Sequence, residues 1–244
     1  LRHANGKLLG AIPIVKELER KMDELASLAA VRELPYYSDR PVRNSLYLVL
    51  TGDKGLAGAY NGKVEKFAME NMKGKKEKIV VVGSYGNRFF RKNGKNVIRE
   101  IINLPDSKIY FKSEEIAKEL VESFLEEESD EVFLVYTKFE NVLSSRPMIE
   151  RLLPLKLKDI EPSQEIFEPS PELYVQNSVL FYMHMAIFRA FADAKTSEQA
   201  SRMLAMDTAG SNAEELVEEL KRKLNRQRQQ EITQELAEIV GQRQ

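Results

Sequence analysis

From Pro171 to Gln244 the chain carries no further proline, and its apolar residues recur at helical spacing almost to the end. A continuous helix over that stretch is about 110 Å long at about 1.5 Å per residue. No small domain can cover such a rod, so its far end must meet another helix or another protein. Met203, Met206, Ala209, Ala213, Leu216 and Leu220 step by three or four, then Leu224, Ile232 and Leu236 follow in multiples of four with Arg228 in the intervening slot. Steps of four drift around a helix whose repeat is about 3.6, so the apolar seam narrows and rotates toward the C-terminus. The last turns, Arg226 to Gln230, are polar all round, which suits either solvent or a polar socket in a partner.

Upstream, two further zones differ in period. Val15, Leu18, Met22, Leu25 and Ala29 form an a/d stripe that predicts a helix built for a helical partner, ended by Pro35, with a break near Pro13. Between about 41 and 155 short apolar runs alternate with helical patterns. Ser45–Leu50, Lys78–Val82, Val97–Ile102 and Glu131–Thr137 read as buried strands, and Met148–Leu153 as a further one. Gly62–Met72, Tyr85–Lys92 and Ser113–Glu126 read as helices, with Ser113 as the cap of the last. This alternation predicts a parallel sheet covered by helices. Pro162, Pro169 and Pro171 mark a connector, with Pro171 in the first turn of the long helix. The expected organisation is therefore an N-terminal helix over 1–40, an α/β domain over 41–170 and the long helix over 171–244.

Composition narrows the function. The 37 basic and 38 acidic residues nearly cancel, so overall charge points to neither nucleic acid nor a membrane surface, and any electrostatics are local. Without cysteine there are no disulfides and no cysteine-ligated metals. No run approaches the roughly 18 apolar residues that span a bilayer.

Candidate chemistry is sparse. Thr51 to Gly58 is a glycine-rich turn directly after a strand, a setting that can cradle phosphate. It lacks both the G-x-G-x-x-G spacing and the G-K-[ST] of a phosphate loop, as does Gly83 to Gly86, so tight turns that need glycine are the plainer reading. His3 and His184 are the only histidines; His184, amid Phe181, Tyr182, Met183 and Met185, suits packing. Glu126 to Glu128 lie at a helix end and suit solvent. Lys221, Arg222, Lys223, Arg226 and Arg228 form a basic run with no acid among them. It is either a solvated face or a surface for an acidic partner; nucleic acid is a third reading, but no aromatics for base stacking interleave the run.

Several segments resemble one family, the gamma subunits of F-type ATP synthases. Ser197 to Asp207 (SEQASRMLAMD) is similar to its S-E-x-A-x-R-M-x-A-M signature, and Asn225 to Leu236 (NRQRQQEITQEL) to its N-R-x-R-Q-x-x-I-T-x-E-L. Thr51 to Gly58 is similar to T-S-D-R-G-L-C-G, with Lys54 and Ala57 at the arginine and cysteine positions, and Phe167 to Pro171 to Y-E-P-x-P. The matches span most of the chain in family order. The closing G-A of the family is Gly241-Gln242 here, and its basic, threonine-rich opening helix has no counterpart before Leu1, so the expectation is a coiled coil lacking the first part of its N-terminal helix.

The resemblance implies a Rossmann-like α/β domain inserted between N- and C-terminal helices that form an antiparallel coiled coil. It implies a non-catalytic central-stalk rotor with no cofactor and no small-molecule or nucleic-acid ligand. Its partners would be the alpha and beta subunits, the epsilon subunit and the membrane c-ring, on the cytoplasmic face of a bacterial cell membrane. Arg202, Arg228, Gln229, Thr233 and Glu235 are expected to contact the alpha-beta ring, and Phe167 and Glu168 the membrane ring. The alternatives are a Rossmann-fold enzyme with a helical oligomerisation arm and a coiled-coil adaptor that does not rotate.

Overall fold

A computed structural model describes residues 16–38, 40–72, 76–156 and 170–241, with side chains of the last stretch as far as Gln234. Five strands, β1 (Asn44–Leu50), β2 (Lys76–Val82), β3 (Val97–Ile101), β4 (Glu131–Phe139) and β5 (Ser145–Leu153), form one sheet in the order β3-β2-β1-β4-β5. The first four are parallel, and β5 returns antiparallel beside β4. The parallel sheet expected from the sequence holds for these four strands, and the further strand expected at Met148–Leu153 joins it antiparallel. No helix separates β4 from β5, and the short link at 140–144, turned by Asn141, allows only a hairpin.

The period of two along the strands sorts the core into two layers. Tyr47, Val49, Ile79, Val81 and Val135 face α3 (Tyr60–Asn71) and α4 (Ser84–Lys92) through Val64, Ala68 and Phe90. Leu46, Leu48, Leu50, Val80, Val82, Leu134 and Tyr136 face α5 (Ile109–Leu125), α6 (Pro171–Gly241) and the end of α1 (residues 16–25). The crossovers through α3 and α4 lie on one face and the crossover through α5 on the other, as in doubly wound folds. The Rossmann-like domain thus sits in the chain between two helical arms, as the resemblance implied.

α6 begins at Pro171 and runs unbroken for 71 residues, about 107 Å at about 1.5 Å per residue. Its first third is core. From Met183 to Phe188 every residue is buried, so the helix is enclosed on all sides there. From Met206 to Gln234 every residue of the same helix is exposed, and Met203, Leu216, Leu220 and Leu224 each leave about half or more of their surface open.

Two local expectations are corrected. Ser113 does not start a helix: α5 begins at Ile109, after Pro105 and a 3-10 turn (Asp106–Lys108), and Ser113 is buried within it, donating its hydroxyl to the Tyr110 carbonyl at 2.7 Å. The first helix does not carry its stripe to Ala29. α1 ends at residue 25, where the Ser27 hydroxyl and Arg32 Nε bond the Glu24 and Ala26 carbonyls in place of helical amides. The chain restarts as α2 (Ala29–Arg32), in which Ala29 is exposed and Val31 is buried. Val15 lies outside the described residues, while Met22 and Leu25 are buried in the core that α6 shares.

Gly83 joins β2 to α4 with φ at +96°, and a Cβ there would lie 2.5 Å from the Thr51 carbonyl oxygen. Both the backbone conformation and the space demand glycine. Gly83→Ala is expected to destabilise the domain by about 2–4 kcal/mol, read as a lower urea midpoint by circular dichroism.

Candidate functional site: the seat of the long helix

In doubly wound sheets the crevice at the carboxyl ends of the strands, where the crossovers change face, is where ligands bind. Here that crevice lies beyond β1 and β4. The turn Thr51–Gly58 lines it. The Asn61 side-chain oxygen accepts the Gly52 N–H at 2.8 Å, and Asp53 ties three loops together. One Asp53 oxygen accepts the Ser84 N–H and the other the Asn103 N–H, both at 2.9 Å. The carboxylate therefore stands at the N-terminus of α4, the place where a phosphate would exploit free helical N–H groups.

α6 fills the rest of the crevice. Tyr60 donates its hydroxyl to the Ala194 carbonyl at 3.0 Å, Ser197 to Thr137 O at 3.3 Å, and Ser201 to Ala57 O at 2.8 Å. Arg202 donates to Glu198 at 2.6 Å and through Nε to the Gly55 carbonyl at 3.3 Å. Glu198 is only 5% exposed, and a Cβ on Gly52 would come within 3.1 Å of its carboxylate. What remains is a cavity of about 10 Å³ between Thr51, Asp53, Tyr60, Lys195 and Glu198, room for one water. Among the described residues no group of three or more His, Asp or Glu is placed to hold a metal ion, and no helix is long and apolar enough to cross a membrane.

The residues singled out from sequence fall in different places. Arg202 is mostly buried, and its guanidinium is engaged within the chain, with Glu198 and the glycine-rich turn. Arg228, Gln229 and Thr233 are exposed on the rod, where the Thr233 hydroxyl bonds back to the Gln229 carbonyl at 2.8 Å. Of the basic run, Arg222 and Lys223 pair with Glu218 and Glu219 one turn upstream. Among the described residues Lys221, Arg226 and Arg228 make no ion pair. Phe167, Glu168 and the side chain of Glu235 lie outside the described residues. His184 packs as expected, with Nε2 3.1 Å from the Tyr110 carbonyl and its ring edge-on to Tyr110; burial pushes its pKa down. The roles of Ser197, Glu198 and Ser201 in the seat were missed from sequence. The available signal was polar residues at 197, 198, 201 and 202, which share one helical face.

Comparison with known proteins accords with this geometry. The family model described as "ATP synthase" matches residues 1–243. The ATP synthase gamma chain of Moorella thermoacetica is 34% identical over 244 residues, covering 98% of this chain and 86% of the relative. That of Desulfitobacterium hafniense is 35% identical, covering 99% and 87%. Among solved structures, a chain of the Euglena gracilis mitochondrial ATP synthase (OSCP/F1/c-ring, rotational state 3) matches with a TM-score of 0.65 at 20% identity, covering 98% of this chain and 92% of that one. A chain of the Tetrahymena thermophila mitochondrial ATP synthase central stalk and c-ring matches with a TM-score of 0.59 at 21% identity, covering 85% and 99%. At these identities the structures establish a shared fold.

Two outcomes follow from the filled crevice. Titration calorimetry of the isolated chain with ATP or NAD is expected to show no micromolar binding, because α6 and Asp53 occupy the ligand positions. Tyr60→Phe, which deletes the bond to α6, is expected to cost about 1 kcal/mol at neutral pH. The hydroxyls of Tyr37 and Tyr47 are pushed up to about 12 by burial, and that of Tyr60 further in the same direction. Because the folded values exceed the unfolded value near 10, their contribution is complete below about pH 10 and is lost as pH rises toward 12. Melting temperature against pH should fall across that window, less steeply in Tyr60→Phe.

Proposed function

The chain belongs to the ATP synthase gamma chain family, and from that premise we propose that it is the rotor that couples ion flow through the membrane c-ring to catalysis in the alpha-beta ring. It is a non-catalytic subunit of the central stalk. The observation that carries the coupling role is α6 itself: one helix that is core at Met183–Phe188 and an exposed rod from Met206 to Gln234. An enzyme of this fold would use the crevice that α6 fills, which favours the shaft over the enzyme with a helical arm.

In this reading the rod stands inside the alpha-beta ring, and the domain and the foot of the rod grip the epsilon subunit and the c-ring. Phe167 and Glu168, just before α6, would lie at that foot. Arg228, Gln229, Thr233 and Glu235 would meet the beta subunits near the upper shaft. Arg202 would act at mid-shaft, where its hold on the glycine-rich turn presents the turn and the rod as one surface. The complex would lie against the cytoplasmic face of a bacterial membrane. Rotation brings each polar side chain to one beta subunit at a time, and coupling requires contacts that differ between conformational states. An arginine fork on a carboxylate is worth about 1.5–3 kcal/mol, enough to bias one state without locking the rotor.

The test is reconstitution with alpha and beta subunits, with Arg228→Ala and Gln229→Ala combined. Both side chains are exposed, so the isolated chain should melt as wild type does, while ATPase turnover of the reconstituted complex falls severalfold. Wild-type turnover and torque from the double variant would mean that these side chains are solvated and that the shaft works by shape alone.

A further inference from the structure

The enclosed stretch of α6 poses a mechanical problem. From Met183 to Phe188 every residue is buried and all but His184 are apolar. Over these six residues the helix presents no amphipathic face that defines its rotation about its own axis. Hydrophobic contact is non-directional, so it holds such a helix in place without choosing its rotational setting.

Two polar contacts stand at this stretch, one from His184 within it and one from Arg189 at its end. His184 meets the Tyr110 carbonyl of α5 at 3.1 Å, and since a carbonyl only accepts, Nε2 carries the proton and donates. Arg189 donates to one Glu150 oxygen on β5 at 2.7 Å, and the other Glu150 oxygen accepts the Tyr136 hydroxyl of β4 at 2.7 Å. Five residues apart, positions 184 and 189 point roughly 140° apart around the helix. One contact therefore pulls toward α5 and the other toward the antiparallel edge of the sheet. Arg189 Nε is buried and finds no partner among the described residues, so Glu150 is the anchor of this guanidinium. Burial pushes the Asp193 carboxyl, one turn further along, above the usual carboxylate range, and Arg189 and Lys138 oppose that rise. Directional polar contacts inside an apolar surround are the best-attested device for fixing register.

We infer that Glu150, held by Tyr136, and Arg189 are positioning residues that fix the rotational register of the rod in the α/β domain, so that torque entering the domain turns the rod without slack. The inference rests on the rotor reading. It adds residues whose contacts with one another lie inside the subunit.

The test uses the complete ATP synthase carrying Arg189→Met, Arg189→Lys, Glu150→Gln or Tyr136→Phe, with ATP hydrolysis and ATP-driven ion pumping measured on the same preparation. Arg189→Met and Glu150→Gln should assemble and hydrolyse ATP near the wild-type rate, while the ions pumped per ATP fall below the wild-type ratio, because the remaining contacts of the seat hold the rod less firmly. Arg189→Lys, which keeps the charge, should recover most of the ratio. A wild-type ratio in Arg189→Met, or a parallel loss of hydrolysis and pumping, would overturn the register role. Should Arg189→Met fail to assemble, the ratio in Tyr136→Phe and Glu150→Gln decides in the same way. If the wild-type chain itself does not assemble with alpha and beta subunits, the rotor reading fails and takes this inference with it.

Discussion

The burial of the first third of α6 against the sheet is the interaction on which the molecule depends. Val175, Val179, Met183, Ile187, Ala190, Phe191 and Ala194 share one core with Leu46, Leu48, Leu50, Leu134 and Tyr136. A helix as long as α6 gains little from propensity alone, and helical stability comes chiefly from tertiary packing. The domain supplies that packing at one end, and nucleation there lets the helical pattern propagate outward. The exposed apolar seam from Met203 to Leu224 then lies on a helix that the buried end already holds folded. The same burial explains why the crevice of the α/β domain holds no room for a nucleotide: α6 crosses the carboxyl ends of β1 and β4 on its way out.

The polar contacts along that path do different work from the apolar ones. Ser197, Ser201 and Arg202 all bond backbone carbonyls of the sheet end or the glycine-rich turn. Bonds to backbone fix a helix to a chain segment whatever side chains that segment carries. Leu56, at the tip of the turn with φ at +61°, is 74% exposed. Its backbone costs of order 1 kcal/mol, a cost borne because the flanking residues Gly55 and Ala57 are both tied to α6.

Much of this was legible in the sequence, for reasons that differ by element. The strands showed because both faces of the central ones are buried, which writes continuous runs such as Leu46 to Leu50. α6 showed because it has no proline and a steady seam. Ser113 misled because a serine before two glutamates imitates a helix cap, although Ile109 already extends the buried face one turn upstream. The direction of β5 was hidden because its strand pattern is the same in either sense; only the length of its link to β4 decides. The seat was the least legible part. The Arg202 contact to Gly55 joins residues 147 apart, and no local pattern announces such a pairing. The family resemblance marked both segments without saying that they touch.

A shaft must satisfy two demands that a globular core does not meet together. It has to be stiff along its axis, and it has to be fixed in rotation about that axis where it is driven. Continuous helical hydrogen bonding meets the first. Apolar burial, for all its strength, contributes little to the second where the helix is enclosed on every side. The polar contacts of α6 are concentrated between His184 and Arg202, the length over which the rod is held by the domain. Beyond that length Arg222 pairs with Glu218 and the Thr233 hydroxyl bonds the Gln229 carbonyl, both within the helix itself. In the rotor reading the division follows from the physics of the load: directional bonds stand where the helix could turn in its seat, and the exposed length is left for partners.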